Sequence, residues 1–465
     1  MVGGGWLLAE EVVPARVQMG SSLGFHIILA CFGIAAPTVM LIAEWIGIRR
    51  GDPSVLLLAR RWSKVVALLF AVGAVSGTVL SYEMGLLWPG LMGRFGSAVG
   101  VGFSVEAVWF FVEAAFVSVY LYGWRRLKPW LHWWSGMPVA VAGIFGAWAV
   151  VSVNSWMNQP QGFTIRDGHL VSVDPVKVFF NRAASYEVPH MILAAYMVTG
   201  FVFAGVYAVA MLRGRRDRYH RMGFLIPFTI AGIATPLQVG VGDYAARAIA
   251  VQQPVKFAAM ELVPHTSRGV TEWIGGIWWH GQVYFGVGIP KLDSILVGFD
   301  PNAEVIGWDS VPPAQRPPLA NLVHLSFDVM VGIGTALMAL AAWQAWHWYF
   351  HRQLLVTRWF LAPMTLAGVA SVVAMECGWV VTEVGRQPWI VYRVQLVGDA
   401  VTSAHGVRVT LGWVLAVYLV MTVVSIATPI ALGRRWRREA PDAEDAEDVP
   451  YVRPPGRRSA WLPRR

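Results

Sequence analysis

The chain has 465 residues, 56% hydrophobic and only 14% charged, with a formal net charge of +9. A soluble domain carries about 25% charged residues, so the composition excludes one and calls for a membrane protein. The basic balance does not indicate a nucleic-acid partner. The arginines lie between apolar runs and near the C-terminus, with no basic face interleaved with stacking aromatics.

Nine apolar runs follow in order, at 23–46, 64–82, 100–122, 136–156, 188–212, 222–242, 321–346, 359–381 and 407–431. Each is about 19–26 residues, enough to cross a hydrocarbon core as a helix. The expected fold is an all-α integral membrane protein with about nine transmembrane helices. Five segments rich in Arg and Lys (IRRGDPSVLLLARRWSK, GWRRLKPW, RGRRDRYHR, HRQLLVTRW and GRRWRRE) follow the odd-numbered runs. The positive-inside rule then puts the N-terminus outside and the C-terminus in the cytoplasm. The opening MVGGGWLLAEEVVPARVQ has no basic region, so no cleavable signal peptide is expected. The 24 Trp suit interfacial belts and bulky flat ligands. Cys31 and Cys377 lie inside apolar runs, so neither a disulfide frame nor a thiolate metal site is expected.

These runs divide the chain into four parts. Residues 1–242 form a six-span N-terminal part with two candidate ligand histidines, and 243–320 form a long loop outside the membrane. Residues 321–432 form a three-span C-terminal part, and 433–465 a flexible cytoplasmic tail of mixed charge and Pro. The loop holds the aromatic stretch WIGGIWWHGQVYFGVGIP, which argues against disorder.

Polar groups inside spans are the functional candidates. His26 lies early in the first span. Glu106 and Glu113 lie in the third, seven residues apart, on one helix face about 10 Å apart. Two acids in line read as a proton relay, against a structural hydrogen-bonding role. His190 follows Pro189 at the start of the fifth span, and Met330 lies in the outer half of the seventh. Glu376, Trp379, Glu383 and Arg386 follow a 0, +3, +7, +10 spacing, which is one helix stripe. A buried ion-pair seam is the plainer explanation of that stripe, and packing is the plainer role of each lone His or Met. Yet His26, His190, Met330 and Glu383 share one depth near the outer face. A His–Met pair is a low-spin heme ligand set, and a His or carboxylate with an open sixth position suits a high-spin, oxygen-binding iron.

The stretch GWVVTEVGRQPW resembles the signature of subunit I of the cytochrome bd-type quinol oxidases. The segments ARVQMGSSLGFH, EVPHMILAAYMVTG and FDVMVGIG are similar to further segments of that family, and the likeness runs over roughly residues 10–432. The resemblance implies a heme-bearing subunit that oxidises quinol and reduces oxygen to water in a prokaryotic plasma membrane. It implies a low-spin heme b on His190 and Met330, with a high-spin heme b and a heme d (or a third heme b) at His26 and Glu383, in an undecided order. Trp379 and Arg386 match residues beside those hemes, and so do Arg16 and Gln18, with Arg16 suited to a propionate. Glu376 joins Trp379, Arg386, Glu106 and Glu113 in the candidate catalytic set. Glu106 and Glu113 would lead protons inward, although Ala114 stands where a hydroxyl residue is expected. Lys256 and Glu261 in KFAAMEL match the family's quinol-binding positions, with a surface pair as the plainer explanation, and the loop resembles the short-loop branch. Asp328 departs from the pattern, standing where an arginine near the low-spin heme or the quinol is expected; an acid there would lower that heme's potential. The implied partners are subunit II in a heterodimer, quinol, oxygen and the lipid bilayer, with small accessory subunits left open. Two other readings remain: a bd-like heme protein with another donor or an altered potential, and a heme-free transporter or scaffold.

Overall fold

The computed structural model describes residues 4–166, 169–439 and 449–451. Its helices are α1 (Gly4–Arg50), α2 (Pro53–Leu87), α3 (Pro89–Gly123), α4 (Pro129–Asn158), the short α5 (Pro175–Phe179), α6 (Ala184–Leu212) and α7 (Arg218–Gln252). They continue with the short α8 (Pro254–Met260) and α9 (Leu292–Gly298), then α10 (Ala320–His351), α11 (Arg358–Gly385) and α12 (Val407–Glu439). Among the described residues, nine of these helices are long and apolar enough to cross a membrane. A chain in lipid must satisfy its own backbone, and continuous helices do so.

The helix starts are written locally. Proline opens α2, α3, α4 and α8, where the missing N–H removes no intrahelical bond. Asp52 caps α2 by accepting from Val55 N at 3.2 Å, and it also accepts a bond from Arg218 at the start of α7. One carboxylate thereby fastens two loops at the same end of the bundle.

Burial shows which helices are central. The apolar stretch of α1 is 61% buried and that of α6 56%, against 11% for α12. Helix α1 packs on α2, α4, α6 and α12, while α6 also packs on α7 and α11. Backbones approach closely at these crossings. A Cβ on Gly143 of α4 would stand 2.8 Å from the Gly33 carbonyl of α1, and one on Gly368 of α11 would stand 2.7 Å from the Val202 Cα of α6. Around this axis α10 packs on both α7 and α11, the same two helices that flank α6. Helices α6 and α10 therefore stand diagonally in a four-helix group. The outward faces carry Phe111, Tyr122, Trp359, Leu366 and Trp413, all exposed, which suits contact with lipid or with another subunit.

The loop between α7 and α10 is built as nested strand pairs. Ser267–Arg268 pairs with Glu304–Val305, Glu272–Ile274 with Val287–Ile289, and Ile277–Trp279 with Gln282–Tyr284. The innermost turn has positive φ at His280 and Gly281, the backbone of a tight hairpin.

Several helices overrun their apolar runs, with α1, α2 and α3 beginning at Gly4, Pro53 and Pro89, and two of the boundaries between the four parts are overrun. Helix α7 runs on to Gln252 rather than ending at residue 242, because DYAARAIAVQ keeps its helical pattern beyond the apolar run. Helix α12 runs to Glu439, so the start of the expected tail is helical. Most of that tail, 440–448 and 452–465, lies outside the described residues. The piece between them docks: Tyr451 OH donates to Glu44 Oε1 at 2.8 Å, and its ring lies beside Trp124. The buried Glu44 also accepts from Tyr120 OH at 2.5 Å and from His132 Nδ1 at 2.7 Å.

Candidate active site

The diagonal helices α6 and α10 carry His190 and Met330. Each faces a glycine on a flanking helix. A Cβ on Gly242 of α7 would lie 3.3 Å from His190 Cε1, and one on Gly378 of α11 would lie 3.0 Å from Met330 Sδ. His190 Nδ1 is buried with no hydrogen-bond partner. The arrangement offers an imidazole and a thioether from opposite corners of one bundle, with no side chain on the glycines between them.

His26 on α1 has a fixed proton. Ser76 Oγ donates to Gly73 O at 2.9 Å, so the contact of 2.9 Å between His26 Nδ1 and Ser76 Oγ must be donated by the histidine. That leaves the Nε2 lone pair free, as in a metal-ligating imidazole oriented by an outer hydrogen bond. A Cβ on Gly77 would come within 3.1 Å of the ring. Seven residues along α1, Gly33 faces Glu113 of α3, whose Oε1 would lie 3.8 Å from a Cβ there. Positions 26 and 33 share a helix face about 10 Å apart, so Glu113 reaches the His26 side of α1. Glu106 is half-buried on the same helix as Glu113. Glu376 comes from the other side of α1: its Oε2 would lie 3.2 Å from a Cβ on Gly24, and position 24 points away from position 26. The structure thus separates Glu376 from His26. Trp379 packs against an apolar cluster that includes Ile27 and Cys31 of α1 and Met191 of α6. Gln18 has both ends of its amide engaged, donating to Glu83 Oε1 at 2.9 Å and accepting from Thr410 Oγ1 at 2.9 Å. It acts as a clamp of α1, α2 and α12. Arg16 is half-buried two residues earlier.

At the end of α11 a polar cluster gathers. Arg386 Nη2 donates to Glu383 Oε2 at 2.6 Å, and Asn154 Nδ2 on α4 donates to Glu383 Oε1. Arg386 is 3% exposed, yet its Nε and Nη1 have no partner. A buried guanidinium with free N–H groups is a socket for an anion. Lys256 joins this cluster. Its stem crosses Gly385, its Nζ donates to Thr382 O at 3.4 Å, and it lines a cavity with Arg386, Trp389, Tyr392 and Arg393. Burial holds the Lys256 ammonium below its usual range, Arg386 adds to the effect, and Glu187 and Glu383 oppose it.

Glu261 lies elsewhere, facing the folded loop. Positions 256 and 261 are five apart, about 140° around a helix, so the two side chains diverge. Glu261 is 4% exposed and touches Glu272, with Asp293 and Asp328 nearby. Burial, then repulsion from Glu272 and Asp293, raises its carboxyl well above the ordinary range. Asp293 is pushed up to about 8 by burial and by Glu272.

Asp328 turns to the loop. Its Oδ2 accepts from Gly275 N at 2.5 Å and lies 3.3 Å from His324 Nε2. The fully buried His324 also has Nδ1 at 2.6 Å from Met260 O and Nε2 at 3.1 Å from Gly275 O. Both ring nitrogens face backbone carbonyls. One turn earlier, Asn321 accepts from Trp278 N at 2.8 Å and donates to Trp278 O at 3.1 Å. Asn321, His324 and Asp328 form one stripe of α10 and hold the loop backbone.

The sequence reading passed over Asn154, Glu187, Glu272, Asp293 and His324. Glu187 stands in EVPH, three residues before His190, and accepts from Asn158 Nδ2 at 2.9 Å. His324 stands four residues before Asp328. Those two spacings were available signals; Glu272 and Asp293 had none.

The profile of the family described as cytochrome bd terminal oxidase subunit I matches residues 14–435. The chain belongs to that family. It is 32% identical over 419 residues to a Bacillus subtilis protein named, provisionally, as a cytochrome bd menaquinol oxidase subunit I, covering 89% of this chain and 94% of the relative. It is 25% identical to the cytochrome bd ubiquinol oxidase subunit 1 of Bacillus subtilis, over 96% of this chain and 97% of that one. Its fold matches the bd oxidase of Geobacillus thermodenitrificans with a TM-score of 0.85 at 34% identity, over 91% of this chain and 98% of that one. This is therefore a multi-pass membrane subunit of a terminal oxidase, in a family that carries hemes and works with a subunit II. The free Nε2 of His26, the glycine-backed His190 and Met330, and the unpartnered N–H groups of Arg386 all fit such cofactors.

The raised carboxyls of the loop have a measurable consequence. An acid whose folded pKa exceeds its unfolded value contributes stability below the unfolded pKa, about 4, and loses it as pH rises through the folded value. In chelator-washed protein the loop's resistance to protease should fall between about pH 5 and pH 8, the upper bound set by Asp293. Protection that rises over this range would contradict the acid cluster.

Proposed function

We propose that the chain is the heme-bearing subunit of a bd-type quinol:oxygen oxidoreductase, with its N-terminus outside and its C-terminus in the cytoplasm. His190 and Met330 would hold a low-spin heme b, and His26 and Glu383 the two high-spin hemes, one of them heme d or a further heme b. Bound there, these hemes supply one-electron transfer and the four-electron reduction of oxygen. The observation that carries the reading is the pair of diagonal side chains, His190 packed on Gly242 of α7 and Met330 on Gly378 of α11.

The protein's own groups have separable tasks. Arg386, anchored by Glu383, and Lys256 offer N–H groups to anionic substituents of a bound cofactor. Glu261 takes the proton that a quinol hydroxyl gives up on oxidation, and burial raises its proton affinity. Asn321, His324 and Asp328 position the loop that carries Glu261. Glu113 and Glu106 hold protons on the way from the cytoplasmic side toward His26. Proton release outside and uptake inside then separate charge with no pump.

Two measurements test this reading. His190→Ala and Met330→Ala should each abolish the low-spin b signal of the reduced purified complex. Retention of that signal in both variants overturns the pair. Glu261→Gln should slow quinol-driven oxygen uptake at least about tenfold with the heme spectrum intact. An unchanged rate would move the quinol site away from Glu261.

A further inference from the structure

We infer that Glu261, Glu272 and Asp293 form a binding site for a divalent cation of the calcium class within the loop. Each residue offers a carboxylate oxygen, and these atoms lie within 4.8 Å of one another. Calcium binds oxygen at about 2.3–2.6 Å, so ligands on opposite sides of one ion stand about 4.6–5.2 Å apart. The donor set is all carboxylate oxygen, with no nitrogen or sulfur, which favours a hard cation over zinc or copper.

The second observation is Asp293 itself. It is 1% exposed, and neither of its carboxylate oxygens has a hydrogen-bond partner. Glu261 Oε2 and Glu272 Oε2 are likewise buried without partners. A buried carboxylate with no donor is costly, and folded proteins answer it with a hydrogen bond, a cation or a proton. The neighbouring His324 is already engaged by two carbonyls and by Asp328.

The three ligands come from separate pieces of chain: Glu261 ends α8, Glu272 opens a strand pair, and Asp293 lies in the first turn of α9. One ion would cross-link all three. The inference rests on loop geometry and not on the quinol reading, although Glu261 is common to both.

The test uses the intact purified oxidase. The complex is washed with chelator, equilibrated with calcium chloride, freed of unbound ion and assayed for metal by mass spectrometry. Wild type should retain about one more calcium per complex than Asp293→Asn or Glu272→Gln, with the heme spectrum unchanged in both variants. Calcium should also restore protease resistance of the loop at pH 8 in wild type alone. A wild type that retains no calcium overturns the site, and this arm needs no variant to fold. Equal calcium in wild type and both variants overturns it as well. Loop protection that responds to pH but not to calcium identifies a protonated acid cluster instead. Because the readout is metal content, its failure is distinct from failure of the quinol reading, which is judged by oxygen uptake.

Discussion

Glu383 and Arg386 share a salt bridge at 2.6 Å inside the bundle, and Asn154 of α4 completes the carboxylate. Removing two charges from water costs several kcal/mol per ion, so such a pair persists only where its remaining donors and acceptors are met. Here Glu383 is satisfied and Arg386 is not. The guanidinium keeps two buried nitrogens, Nε and Nη1, unpartnered beside the buried Lys256. The same constraint shapes the rest of the molecule. α1 and α6 are the most buried of the spans, and close glycine crossings bring α4 onto α1 and α11 onto α6.

The loop obeys that rule on the outside of the bundle. Its strand pairs are too short to be stable alone. They are held by a polar stripe of α10, in which Asn321, His324 and Asp328 take up backbone groups of Trp278, Gly275 and Met260. An arginine at position 328 could not accept the Gly275 N–H. Asp328 therefore has a local structural role, holding the Gly275 N–H and facing His324 Nε2.

Much of the fold was legible in the sequence because membrane spans are coarse features. Apolar runs with few charges declare themselves, and five basic segments suggest a sidedness. Helix ends were less legible, since α7 and α12 continue beyond their apolar runs by ordinary amphipathic pattern. Within the candidate site, the helix stripe from Glu376 to Arg386 held up for Glu383 and Arg386, which meet. It did not show that Glu376 turns to a different face of α1 from His26. Lys256 and Glu261 look like a pair in sequence, but a five-residue offset sends them to different clusters. Glu272 and Asp293 were invisible because only the folded loop brings them to Glu261. Asn154 and Glu187 were missed because neutral amides and acids beside helix ends are common in any chain.

We propose that these unsatisfied buried groups are the sockets of hemes in a terminal oxidase subunit. A reduced-minus-oxidised absorption spectrum of the purified complex, repeated after addition of carbon monoxide, tests it most directly. The expected result is a low-spin b band that carbon monoxide leaves in place, beside high-spin bands, a far-red chlorin band among them where heme d is bound, that carbon monoxide shifts. A complex purified with no heme at all would contradict it.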